Sequence, residues 1–351
     1  MEYVRFSTHD RLVKISSMKP PTEGSCKGLR NNFCRVVNVL DCISSARTTR
    51  AYRPHSRLYC LKSTSMSTAQ LRFRRKISDA MYGQVIECEL QQSKANLPPL
   101  PLGKRRIVAV KCMSLPRAID VQNRCGTSRV LDDPIQESRV ADLLTKNGGH
   151  SNVVASYFHF QENRCLYLVG EFCADGDLYT HLATSTGNGA MDERRTIDVM
   201  KQIVSGVDYL HRVLHIAHRD LSLENVLMNK GACKISDFGL SVDAKSKCTD
   251  RVGKEYYMAP EVMAGEEYDP VKADIWSLGI MWFILLTGSP LIPIASQKEA
   301  SFLAFQRSGV VAVFKSWGVK ASLSTMSLVD RMLKVNPNER ISLDEIVEEL
   351  A

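Results

Sequence analysis

From Ile275 to Ala295 no side chain is charged, and this run limits the folds open to the 351-residue chain more than any other feature. It is long enough in principle to span a bilayer. Gly288-Ser289-Pro290 interrupts it, however, and Pro293 interrupts it again, so only Ile275–Thr287 reads as a helix. A helix apolar on every side must be enclosed, and this one is too short for lipid. The chain therefore needs a core large enough to surround it. With 44% apolar and 24% charged residues it has an ordinary globular balance, which excludes a fully disordered or collagen-like chain.

The text around that helix changes character once. Leu71–Glu89 is strand-like, Gln91–Lys104 with Pro98, Pro99 and Pro101 reads as an extended loop insertion, and Ile107–Met113 is a short β-branched strand. Pro116–Asp132 reads as a second loop and Pro134–Lys146 as a helix, followed by strands at Val153–Phe160 and Cys165–Glu171. After Gly176 the spacing becomes helical: Ile197, Met200, Ile203, Val204, Val207 and Leu210 recur three or four apart. Ser342 with Glu345 forms a capping box for a last helix. A strand-rich half thus precedes a larger helical half, with the joint near Glu171–Gly176.

Residues 1–70 differ from the rest. They hold 12 basic and 4 acidic side chains, leaving 34 of each for 71–351, so the whole excess of +8 lies in this arm. It reads as mobile, with Phe33–Ile43 as a docking segment. A neutral body with a basic arm argues against a nucleic-acid-coating protein. Acidic lipid or a regulatory partner suits such an arm better. Cys26, Cys34 and Cys42 recur too far apart for a zinc site. Charged residues interrupt the first stretch before a secretory signal can form, so an intracellular setting, cytoplasmic or nuclear, is expected.

The chemistry lies in four elements in order: His218-Arg219-Asp220, Asn225 five residues after the aspartate, Asp237-Phe238-Gly239, and Ala259-Pro260-Glu261. With Val108-Ala109-Val110-Lys111 upstream they resemble the signature set of the eukaryotic protein kinases, over about residues 71–351. The serine/threonine members, of calcium/calmodulin-kinase or AGC type, are the nearest in pattern. The resemblance implies an α+β, bilobal protein-kinase fold with a β-rich N-lobe (about 71–172) and an α-helical C-lobe (about 173–351). It implies ATP and Mg²⁺ as cofactors and protein substrates. Phosphoryl transfer needs positioning and charge neutralisation more than covalent help, and the residue types suit that. Lys111 would pair with Glu137 and the nucleotide phosphates. Asp237 and Asn225 would hold Mg²⁺, and Asp220 would accept the proton of the attacking hydroxyl. Glu171 and Cys173 would read adenine through their backbone, between Ile77, Val85, Ala109 and Leu227. Asp274 is expected to brace the His218-Arg219 backbone, and Glu261 to pair with Arg340.

The sequence departs from the family in four places. The nucleotide loop reads Ser78, Ala80, Gly83, Val85 where three glycines and a valine are usual. Ser222 stands where serine/threonine kinases place a lysine, and Lys254 where they place a threonine. The two types look exchanged, so Lys254 is expected to reach the catalytic loop with Ser222 as its partner. Gly170 occupies the position behind adenine that is normally bulky, which suggests an open pocket and sensitivity to bulky ATP-competitive inhibitors. Asp250, beside Thr249, stands at the usual phosphorylation site, where its carboxylate can pair with Arg219.

An active serine/threonine kinase is the expected function. A pseudokinase acting as a nucleotide-binding scaffold is the alternative, and tyrosine specificity is weaker because Leu221–Glu224 lacks the tyrosine-kinase pattern. Glu224 and Asp177 match acids that in relatives read basic residues of the substrate, so basic motifs are the expected targets.

Overall fold

The computed structural model describes residues 58–62, 68–92, 105–125, 132–185 and 189–351. Most of the basic arm, including Phe33–Ile43, and most of the proline-containing insertion lie outside the described residues. Strands β1 (Leu58–Lys62), β2 (Thr68–Ala80), β3 (Gly83–Gln92), β4 (Arg106–Ser114), β5 (Ser156–Glu162) and β6 (Cys165–Glu171) form one antiparallel sheet in the order β1-β2-β3-β4-β6-β5. The sheet therefore begins at Leu58, inside the stretch assigned above to the arm. Leu58–Lys62 pairs with Thr68–Arg72 and extends the sheet edge.

Two helices lie against this sheet. Helix α1 (Leu115–Cys125) corrects the first part of the stretch Pro116–Asp132 read as a loop, of which residues 126–131 lie outside the described residues. Pro116 sits in its first turn, where a missing N–H costs no helical bond. Ala118 and Val121, three apart, bury themselves against Met113 and Leu166. Helix α2 (Pro134–Lys146) starts at Asp133, whose carboxylate accepts from the Ile135 N–H at 2.8 Å. It turns Val140, Ala141 and Leu144 inward.

The C-lobe is helical: α3 (Leu178–Ser185), α4 (Glu193–Asp208), α5 (Pro260–Ala264), α6 (Pro270–Thr287), α7 (Ala300–Ser316), α8 (Leu323–Met332) and α9 (Leu343–Leu350). Short strands β7 (Ile216–Ala217), β8 (Val226–Asn229), β9 (Ala232–Ile235) and β10 (Val242–Asp243) carry the loops that face the N-lobe. Helix α6 holds the uncharged run from Ile275. It is long and apolar enough by composition to cross a membrane, yet 78% of its apolar window is buried inside the protein. Trp276 meets Phe305, while Phe283 meets Phe314 and Trp317. It starts five residues earlier than its apolar run, because Asp269 caps it and Pro270 fits its first turn.

Buried polar pairs lock the C-lobe loops. Arg340, 0% exposed at its side chain, forks onto both oxygens of Glu261 at 2.7 and 3.1 Å. It also donates to the carbonyls of Lys272 and Lys334 and lies over the Trp276 ring. Removing one partner leaves a buried, uncompensated charge, which costs about 3–5 kcal/mol. Arg340→Met is therefore expected to lower stability by about that amount, read as a fall in the thermal unfolding midpoint. A midpoint matching the wild type would contradict it.

Candidate active site

Strand β4 places Ala109 and Lys111 two residues apart, hence on one face of the sheet. Lys111 Nζ lies 2.8 Å from both carboxylate oxygens of Glu137 on α2, and 3.0 Å from Asp237 Oδ1. Burial alone would depress the ammonium, but Asp237 and Glu137 outweigh it, and the Lys111 pKa is raised. The same pairing holds the Asp237 carboxyl below the usual carboxylate range. Asp237 adopts φ +68°, a strained backbone for aspartate, and so aims its carboxylate into the cleft.

The catalytic loop is held from beneath. Asp274, at the start of the buried helix, accepts from the backbone N–H groups of His218 and Arg219, both at 2.8 Å, and lies 2.8 Å from His211 Nε2. Burial would raise the Asp274 carboxyl, but these donors hold it low. Arg219, at φ +64°, then presents Asp220 to the cleft. Asn225 Nδ2 donates to the backbone and carboxylate oxygens of Asp220, each at 2.7 Å.

Lys254 approaches from the opposite side. Its Nζ lies 3.0 Å from Asp220 Oδ2 and 2.9 Å from Ser222 Oγ, and its backbone N–H reaches Asp220 Oδ1 at 3.1 Å. Gly253 permits this approach: at φ +93°, a Cβ there would stand 2.7 Å from the Arg219 carbonyl oxygen. Burial disfavours the Lys254 charge, but Asp220 and Glu224 more than compensate, and its pKa is raised.

The nucleotide-facing positions also fall into place. Ser78 pairs with Val85 and Ala80 with Gly83 across β2 and β3, and Val85 stands opposite Lys111. Ile77 is exposed, Val85 half-buried, and Leu227 lies on β8 below the hinge. The Glu171 carboxylate accepts from Asn229 at 2.8 Å and pairs with Lys234 at 3.0 Å, which ties the hinge to the C-lobe. Burial pushes the Cys173 thiol up to about 12, so it stays protonated at neutral pH.

Gly170 corrects an expectation. It stands opposite Ala109 in the sheet, but the space beside it is not open: a Cβ at 170 would lie 2.8 Å from the Ala155 carbonyl oxygen. The glycine serves a close approach of backbone to backbone, so the expected deep pocket does not follow from it. The acids matched to basic-substrate recognition have partners within the chain. Asp177 spends both oxygens on Thr180, capping α3, at 2.7 and 2.8 Å. Glu224 is half-buried, and burial raises its carboxyl even though the nearby Lys254 ammonium favours the charged form.

One acid escaped sequence reasoning because it sits in the stretch read as a loop. Asp132 joins Asp237, Lys111, Glu137 and Asp220, and burial, followed by Asp237, pushes its carboxyl up to about 7. Only the Asp133-Pro134 helix start beside it could have drawn attention there. Four carboxylates thus face two ammonium groups, and that surplus of negative charge suits a divalent cation. The Asp237 carboxylate and the Asn225 amide oxygen, whose nitrogen is committed to Asp220, are the hard oxygen donors that Mg²⁺ takes alongside substrate phosphates.

In the activation segment, Arg219 Nη1 lies 3.2 Å from Asp250 Oδ2, and Arg219 Nε donates to the Leu240 carbonyl at 2.8 Å. Thr249 is exposed beside it.

This fold and this site define a nucleotide phosphotransferase architecture, and the protein kinase domain family matches residues 101–350. The chain belongs to that family. It is 34% identical over 215 residues to calcium-dependent protein kinase 5 of Plasmodium berghei, covering 58% of this chain and 36% of that protein. It is 32% identical over 244 residues to CBL-interacting protein kinase 31 of Oryza sativa subsp. japonica, covering 63% and 50%. Against serine/threonine-protein kinase kin-29 of Caenorhabditis briggsae it is 33% identical over 204 residues, covering 56% and 24%. The chain thus spans half or less of the length of these relatives.

Two outcomes follow. Gly170→Met must displace the Ala155 backbone and is expected to cost about 1–3 kcal/mol, measured by chemical denaturation. An unchanged midpoint would show that β5 yields freely. For Asp132, the folded pKa lies above the unfolded value of 3.8, so stability is lost as pH rises from about 4 and the loss levels off above about 7. In metal-free protein, Asp132→Asn is expected to unfold at a higher temperature than the wild type above pH 7, with the gap closing toward about pH 4. A gap independent of pH would refute this.

Proposed function

We propose that this chain is a protein serine/threonine kinase that transfers the γ-phosphate of ATP to a protein hydroxyl. The observation that carries this reading is the convergence of Lys111, Glu137, Asp220, Asn225 and Asp237 from four separate segments on one cleft. Lys111, fixed by Glu137, positions the phosphates. Asp237 and Asn225 would hold Mg²⁺, which when bound neutralises charge on the transferring group. Asp220, oriented by Asn225, accepts the hydroxyl proton and aligns that oxygen for in-line attack. Serine/threonine selectivity is supported by the similarity to serine/threonine-protein kinase kin-29 and by Tyr257-Met258-Ala259-Pro260.

Lys254 supplies the cation that the catalytic loop lacks. Ser222 is fully buried and its short side chain carries no charge, but its hydroxyl accepts from Lys254 and fixes that ammonium beside Asp220. The charge reaches the transfer site from the activation segment instead of the catalytic loop. Because the same ammonium already faces Glu224, and Asp177 caps a helix, neither acid is assigned to basic substrate motifs.

The nucleotide loop, with Ser78 and Ala80 in place of glycines, favours a second reading as a nucleotide-binding scaffold without transfer. Incubation with γ-labelled ATP, Mg²⁺ and serine- or threonine-containing protein separates the two. Label transfer that is lost in Asp220→Asn supports the kinase; ATP binding without transfer leaves the scaffold. Within the kinase reading, Lys254→Met is expected to lower kcat about 10²–10³-fold, the scale of losing one preorganised charge-stabilising group. Ser222→Ala, losing one hydrogen bond, should lower it by less than about tenfold. Equal, small losses in steady-state assays would refute the exchange.

A further inference from the structure

The turn between β2 and β3 makes a set of contacts that the phosphotransfer reading leaves unused. Met81 and Tyr82 form this turn between the paired Ala80 and Gly83. A side chain at the tip of a hairpin ordinarily faces water, but Tyr82 is only 3% exposed. Its ring is buried with Met113 of β4, Ala118 and Val121 of α1, and Leu166 of β6. Its hydroxyl donates to the Asp132 carbonyl at 2.9 Å, and its own carbonyl accepts from the Ser114 N–H at 3.0 Å.

The residues it grips are already committed elsewhere. Asp133 caps the helix that carries Glu137, and its backbone N–H donates to the Gly239 carbonyl at 2.9 Å. The Asp132 side chain packs against Gly239, close enough that a Cβ on that glycine would come within 3.0 Å of it. A short series of contacts therefore joins the tip of the nucleotide loop, the start of helix α2 and the backbone beside Asp237.

We propose that Tyr82 is a positioning residue, a latch that holds the β2–β3 turn closed by bonding to the Asp132-Asp133 strap. This deepens the nucleotide reading above and rests on it. A loop with three glycines can close on phosphates by flexing. Here Ser78 and Ala80 restrict the backbone, so the closed arrangement must be ordered from outside the loop. The buried ring and its hydroxyl do this during folding, and less ordering is left to oppose nucleotide binding. Since the strap also bonds Gly239, the closed turn and the placement of Asp237 beside Lys111 stabilise each other. Helix α1 acquires a role as well: it forms the wall against which the latch closes.

Tyr82→Phe keeps the ring and removes only the hydroxyl. The test is calorimetric titration of the full chain and of this variant with ATP and, separately, with adenosine, which has no phosphates for the turn to hold. ATP affinity is expected to fall about fivefold, the scale of one hydrogen bond, while adenosine affinity stays unchanged. In steady-state assays KM for ATP should rise by a similar factor. Unchanged ATP affinity overturns the latch. Equal losses for ATP and adenosine assign Tyr82 to packing alone and overturn it too. A wild-type chain that binds neither nucleotide overturns the nucleotide reading itself, and the latch with it.

Discussion

Lys111 carries its charge on a half-buried strand, and the rest of the architecture follows from what that requires. A buried cation is tolerated only where carboxylates reach it. Glu137 and Asp237 do so from a helix of one lobe and a loop of the other, at 2.8 and 3.0 Å. The cluster therefore ties the two lobes to one another. Helix α2 must lie close to the sheet, and the Asp237-Phe238-Gly239 turn must face inward, for the cluster to exist. Asp133 secures both demands, since it caps the helix and bonds Gly239.

A second economy runs through the catalytic loop. Helix α6, uncharged from Ile275 onward, has Asp274 in its first turns, the position from which a carboxylate can receive two successive backbone N–H groups of the His218-Arg219 turn. The helix that forms the core of the C-lobe thus also fixes Asp220. Where the chain departs from its family, the departures offset one another. The ammonium absent from position 222 arrives at 254, and the freedom missing from the nucleotide loop is answered by a buried tyrosine. Asp250 gives Arg219 a carboxylate partner without any modification.

The kinase fold and the residues Lys111, Asp220, Asn225 and Asp237 were legible because ordered motifs carry them, and Glu137 because the family resemblance points to the Pro134–Lys146 helix. The buried helix was legible from its lack of charge. Helix α1 was not: among its described side chains only Ala118 and Val121 are buried, too few to set up a visible period. Strand β1 was lost in a basic arm because a five-residue edge strand has little signal of its own. Gly170 was read as a hole because a sequence records a missing side chain, not the backbone that moves into its place.

By itself, then, the chain's text determined which groups are present and the order in which they come, since charge, hydroxyl and apolar period are properties of single residues and their spacing. Tertiary structure alone decided distances between groups far apart in the text: that Lys254 reaches Ser222, that Asp132 joins the carboxylate cluster, that Asp177 is consumed by a helix cap, and that Tyr82 turns inward. Each depends on how two separately folded segments approach one another. That approach is set by packing and by the pairing of buried polar groups across the whole core, which no local window of sequence contains.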